Sequence, residues 1–219
     1  DAMGMLVVVA VDCDQDRVAA IDQELQAVDL RATPWPGPDE PTLVLVHEGA
    51  ERRGAGLIAV RCGAAEPVVW QAPHSFFDLH SGDIVRSLFA ETRARVAMWN
   101  TVHRFRALPG EERDHEVHPA DVAREPGSLF HAATVGAAAG ATDLRFVQIH
   151  GFAASGREAS VILSSGDRGR PPGMPVSALE ERFGPVGVYG LDTDQLGATL
   201  NAQGRALGSW PTPRFLHVE

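Results

Sequence analysis

Nine short apolar runs rich in Val, Ile and Leu recur along the 219 residues: Leu6–Val11, Thr42–His47, Leu57–Arg61, Val68–Gln71, Val96–Asn100, Arg145–His150, Ala159–Leu163, Val186–Gly190 and Phe215–Val218. Each is too short for a helix of ordinary length and reads as a strand. Their near-continuous apolar character predicts a sheet covered on both faces. Helical patterns fall at Asp16–Val28, Asp83–Arg93, Ser128–Ala139, Ser177–Phe183 and Asp192–Ala206, with Ser177 at capping-box spacing from Glu180. Strand, helix and strand alternate through the second half, which implies crossover units. The expected fold is therefore α/β: a mainly parallel, mixed central sheet flanked by helices, of the phosphorylase/hydrolase-like kind. The strand-rich first sixty-odd residues are expected to form an antiparallel flank.

The length suits one core, and no linker separates two self-sufficient halves, so one domain over 1–219 is expected. Thr33–Pro41, Arg104–Pro126 and Gly166–Pro175 read as long loops. The opening Asp1-Ala2-Met3-Gly4-Met5 reads as a cloning remnant ahead of a natural Met, with no signal-peptide pattern. A cytoplasmic location is expected, or a secreted or periplasmic one if a leader was removed. No apolar run is long enough to span a bilayer. Cys13 and Cys62 are too few and too far apart for a cysteine metal site, and either a disulfide or two buried thiols accounts for them.

A net charge of −10 disfavours a nucleic-acid surface. All 19 basic residues are Arg, which excludes a P-loop lysine and Schiff-base chemistry. No Gly-x-Ser-x-Gly elbow and no Gly-x-Gly-x-x-Gly following a strand is present. His115-Glu116-Val117-His118 lacks the spacing and helical setting of a zinc-protease motif and reads as a solvated lid.

In parallel sheets, function gathers beyond the carboxyl ends of the strands. Val68–Pro73 delivers His74, with Asp78 four residues on and His80 just beyond, and Arg145–Ile149 delivers His150 ahead of Gly151. Two His and one Asp form a ligand set that suits catalytic zinc and leaves a position for water. His74, Asp78 and His150 are the candidate ligands. His80 is an alternative to Asp78 or a support for it, and Gly151 would allow a close backbone approach.

The segments Pro73-His74-Ser75-Phe76-Phe77-Asp78, Val147-Gln148-Ile149-His150-Gly151 and Phe215-Leu216-His217-Val218-Glu219 resemble the metal and catalytic motifs of zinc carboxypeptidase-like amidohydrolases. That group includes N-formylglutamate amidohydrolases, poly-γ-glutamate hydrolases and, more distantly, peptidoglycan amidases. Many members have Glu where this chain has Asp78. The resemblance, over about residues 67 to 219, implies that Glu219 is the catalytic acid–base and that Asn100 and Arg104 bind a substrate carboxylate. Composition alone makes Glu219 a solvated terminal acid, and Asn100 and Arg104 a turn residue and a surface charge.

The expected function is a zinc-dependent amidohydrolase or peptidase acting on a small molecule or peptide near a carboxylate. A zinc esterase or deacetylase, or a non-catalytic metal- or ligand-binding domain of the same fold, are the alternatives.

Overall fold

The computed structural model describes residues 14–36, 41–49, 54, 56–106, 118–153, 158–166, 173–208 and 214–219. Leu6–Val11, Cys13 and with it the choice between a disulfide to Cys62 and two buried thiols, His115, and the loop segments 107–117 and 167–172 lie outside them. The elements in chain order are α1 (Gln15–Gln26), β1 (Leu30–Pro36), β2 (Pro41–Glu48), β3 (Leu57–Arg61), β4 (Glu66–Ala72), α2 (Ser81–Glu91), β5 (Ala94–Trp99), α3 (Leu129–Gly140), β6 (Arg145–Ile149), β7 (Val161–Ser164), α4 (Val176–Phe183), β8 (Val186–Val188), α5 (Ala202–Gly208) and β9 (Phe215–Val218).

The strands form one mixed sheet in the order β1-β2-β3-β5-β4-β6-β9-β7-β8. Its centre, β5-β4-β6-β9, is parallel, so four strands end at one edge. The flank β1-β2-β3 joins β5 antiparallel, as the strand-rich first part of the chain predicts. On the other side β7 runs antiparallel to β9 and parallel to β8.

Both faces of the central strands are covered. On one, α1 buries Val18, Ile21 and Leu25, and α3 buries Phe130, Ala133, Ala137 and Ala138, against Val44, Val60, Val69, Val96 and Phe146. On the other, Val85 and Phe89 of α2 pack on Ala59, Ala72, Ala94, Ala97 and Ile149. Helix starts follow the capping logic: the Asp14 carboxylate accepts from Asp16 N and Arg17 N, and Ser128 Oγ accepts from His131 N at 3.1 Å. No helix among the described residues is long and apolar enough to cross a membrane.

Three local expectations are corrected. Thr33–Pro36 belongs to β1 and not to a loop; β1 is an edge strand, where the missing N–H of Pro34 and Pro36 leaves no interior ladder bond unmade. Ser177 lies inside α4, whose N-cap is Pro175 with no side-chain cap. Of the helix expected over Asp192–Ala206, only Ala202 onward is helical. Upstream, Asp192 Oδ2 accepts from Val188 N and Thr193 Oγ1 accepts from Gln195 N, local bonds that compete with a helix.

Candidate metal centre

The polar residues that follow β4 and β6 converge at the carboxyl edge. After β4 the chain turns tightly: Phe77 N and Asp78 N donate to His74 O at 2.8 and 2.9 Å, which brings Asp78 back beside His74 one helical turn later. His150 follows β6, and its N–H donates to Val218 O of β9 at 2.8 Å. The His74 and Asp78 side chains are buried, as is that of His150.

Three atoms form a nearly equilateral triangle. Asp78 Oδ2 lies 3.1 Å from His74 Nδ1 and 3.0 Å from His150 Nδ1, and the two nitrogens are 3.1 Å apart. The outer nitrogen of each ring is occupied: His74 Nε2 donates to Asp121 Oδ1 at 2.8 Å, and His150 Nε2 lies 2.9 Å from Gln148 Oε1. Metal-ligating histidines carry this arrangement, in which the outer N–H is held by a carboxylate or carbonyl and the inner lone pair faces the ion. At bonds of about 2.0 to 2.1 Å, a tetrahedral ion separates its ligand atoms by about 3.3 Å. The triangle would need to open by only a few tenths of an ångström.

The electrostatics differ among the three side chains. Burial opposes charge on Asp78, but hydrogen bonds from His150 and His74 outweigh it and hold the carboxyl well below its usual range. Burial likewise opposes charge on His74, but its bonds to Asp121 and Asp78 raise its pKa. Burial dominates at His150 and pushes it down to about 4, so that ring is neutral. An anionic oxygen and a neutral nitrogen directed at one point suit a cation.

His80, the alternative ligand, is not at the centre. It is exposed at the start of α2, with a left-handed φ of 65° and an ion pair to Asp83. Gly151 is not forced by close approach, because a Cβ there would meet Asp78 at an ordinary 3.5 Å.

Glu219 and Arg104 reach the same hollow, of about 270 Å³, as His74 and His150. Glu219 is held by paired backbone bonds with Ile162 of β7, each 2.9 Å. Its carboxylate lies within 4.8 Å of ring nitrogens of both His150 and His217. These three residues make a second group with ligand-like spacing. His150 cannot serve both groups, because one of its nitrogens faces Asp78 and the other lies 2.9 Å from Gln148 Oε1.

Arg104 is largely engaged. Its Nη2 pairs with Asp121 Oδ2, its Nη1 faces His74 Nδ1 at 3.2 Å, and its guanidinium lies over the rings of Phe77 and Phe105.

Asn100 is not brought to this hollow. It is fully buried, donates to Ala120 O at 3.1 Å and accepts from Val102 N at 3.2 Å, thereby tying the end of β5 to the 118–124 turns. Both of its polar ends are spent on backbone.

Sequence reading missed three contributors. Asp121 is the direct partner of His74. Arg124 lines the hollow, and no ion pair or side-chain hydrogen bond engages it among the described residues. Asn201 lines it from the turn that closes when Asn201 N donates to Ala198 O at 2.9 Å. That turn is strained, since Leu196 and Ala198 have φ of 60° and 53°. No protein-family model and no curated protein matches the chain.

Proposed function

We propose that this chain is a zinc-dependent amidohydrolase or peptidase that cleaves an amide bond near a substrate carboxylate. The observation that carries the reading is the triangle of His74 Nδ1, His150 Nδ1 and Asp78 Oδ2, with Asp121 and Gln148 holding the outer face of each ring. Two His and one carboxylate form a recognised catalytic zinc set with an open position. When bound, zinc supplies a Lewis acid and a water acidified to near neutral pH.

The chain's own residues supply the rest. Glu219, at the rim of the hollow, takes a proton from water as its oxygen adds to the amide carbon, and returns it to the amine nitrogen as the C–N bond breaks. Arg104 places positive charge beside His74, where an oxyanion develops. Arg124, on the wall and without a side-chain ion pair or hydrogen bond among the described residues, is the anchor for a substrate carboxylate.

The test is turnover of a panel of N-acyl amino acids by zinc-loaded protein. Cleavage is expected for acidic members, and Glu219→Gln should keep zinc and fold while losing about 10² to 10⁴ in rate. No cleavage of any member, or unchanged turnover in that variant, overturns the reading.

A further inference from the structure

The last full rung of the sheet before the metal centre is polar where an apolar core is expected. Met98, Gln71, Gln148, His217 and Ser164 are successive register partners across β5, β4, β6, β9 and β7. Gln71, Gln148 and Gln203 of α5 are fully buried, as is Thr134 of α3. A buried amide left unpaired loses its hydration without compensation, so such a group persists only when its hydrogen bonds are made.

The orientation of every amide in this group is decided by anchors of fixed polarity. Val122 O can only accept, so Gln203 donates to it through Nε2 at 2.8 Å and turns Oε1 toward Gln148. Thr134 gives its hydroxyl proton to Phe130 O at 2.9 Å, so its Oγ1 accepts from Gln71 Nε2 at 2.7 Å, and Gln71 Oε1 faces Gln148. Gly204 N can only donate, so Asn201 accepts it through Oδ1 at 2.8 Å and offers Nδ2 to Gln148. The three anchors act independently and impose the same orientation. Gln148 Nε2 donates to Gln71 and Gln203, and Gln148 Oε1 accepts from Asn201 and from the remaining neighbour, His150 Nε2.

We infer that Gln148 is a positioning residue that fixes the tautomer of His150, forcing its proton onto Nε2 and leaving the Nδ1 lone pair directed at Asp78 and His74. The inverted amide would set N–H against N–H at His150 and Asn201, and oxygen against oxygen at Gln71 and Gln203. Without the network, the proton would move to Nδ1 and donate to Asp78 Oδ2, 3.0 Å away, blocking that lone pair. The network also reaches the other ligand, because Val122, which anchors Gln203, follows Asp121, which holds His74. The consequence for zinc affinity rests on the proposed reading of His150 as a ligand. The tautomer does not.

The experiment is nitrogen-15 NMR of the histidine rings in metal-free protein, paired with zinc affinity by competition with a chromophoric chelator. Wild-type protein should show His150 protonated at Nε2 and bare at Nδ1. Gln148→Met should shift the proton to Nδ1 and lower zinc affinity by about 10- to 100-fold. Gln203→Met should keep the wild-type tautomer, because the Thr134 and Gly204 anchors remain. Nδ1-protonated His150 in wild-type protein overturns the inference even if Gln148→Met fails to fold, as does Gln148→Met with wild-type tautomer and affinity. Wild-type protein with the Nε2 tautomer but no zinc binding supports the inference and removes the hydrolase reading.

Discussion

His74 Nε2 lies 2.8 Å from the carboxylate of Asp121, 47 residues further along the chain, and both side chains are buried. The same carboxylate pairs through its other oxygen with Arg104. Asp121 therefore orients a candidate metal ligand and a cation of the cleft together. Its position is set by the turn in which Asp121 N donates to His118 O at 2.8 Å and Asp121 O accepts from Arg124 N and Glu125 N.

Asp121→Asn should leave the fold intact and lower zinc affinity by about 10- to 100-fold, the range for removing the partner of a ligating His. Chelator competition measures it. Wild-type affinity in this variant would show that the contact does not support a ligand.

Much of the site was legible because strand ends announce themselves. His74 and His150 each follow an apolar run, and the spacing of Asp78 from His74 is one helical turn. Asp121 was not legible as a partner of His74, because its contact is set by a distant turn rather than by local sequence. Gln71 and Gln148 left a signal, one polar residue each in the interior of strands that are apolar after their charged first residues Glu66 and Arg145, and its use depends on strand register. Asn100 was misplaced because a strand-end amide serves backbone as readily as substrate, and here Ala120 O and Val102 N take both ends. In the fold, the parallel centre was readable from the alternation of strand and helix and the antiparallel flank from the strand-rich first part of the chain. β1 was obscured by its prolines, and the segment before Ala202 by Asp and Thr side chains that bond nearby backbone.

Arg124→Met should raise KM for acidic substrates by about tenfold or more and change neutral substrates little, because a charge-assisted contact to a carboxylate is worth about 1.5 to 3 kcal/mol. Arg104→Lys should instead lower kcat for both classes, since Lys keeps the charge but loses the fork that spans Asp121 and His74. Steady-state kinetics on paired substrates distinguishes them. Equal losses on acidic and neutral substrates in Arg124→Met would remove it as the carboxylate anchor.

Asp22 fastens α1 to β1, accepting from Arg31 Nε and Nη2, each at 3.0 Å, and from Ala32 N at 2.7 Å. The Arg31 bond leads in lowering its pKa to about 2, against an ordinary 3.8. A depressed carboxyl stabilises the fold above its unfolded value and loses that contribution as pH falls through the folded one. Asp22→Asn should cost about 1 kcal/mol at neutral pH, a modest figure because Arg31 is half exposed. The deficit should shrink below pH 3.8 and vanish only below the folded value of about 2, as followed by urea unfolding. A deficit independent of pH would mean that the ionised carboxylate is not what holds the helix.

Metal content tests the central claim most directly. Protein purified, stripped and reloaded with zinc, then analysed by plasma mass spectrometry, should hold about one ion per chain. His74→Ala, Asp78→Ala and His150→Ala should each lose it while His80→Ala keeps it, with folding followed by circular dichroism. Folded wild-type protein that retains no zinc or other divalent ion, or a His150→Ala variant that binds as wild type does, would contradict the account.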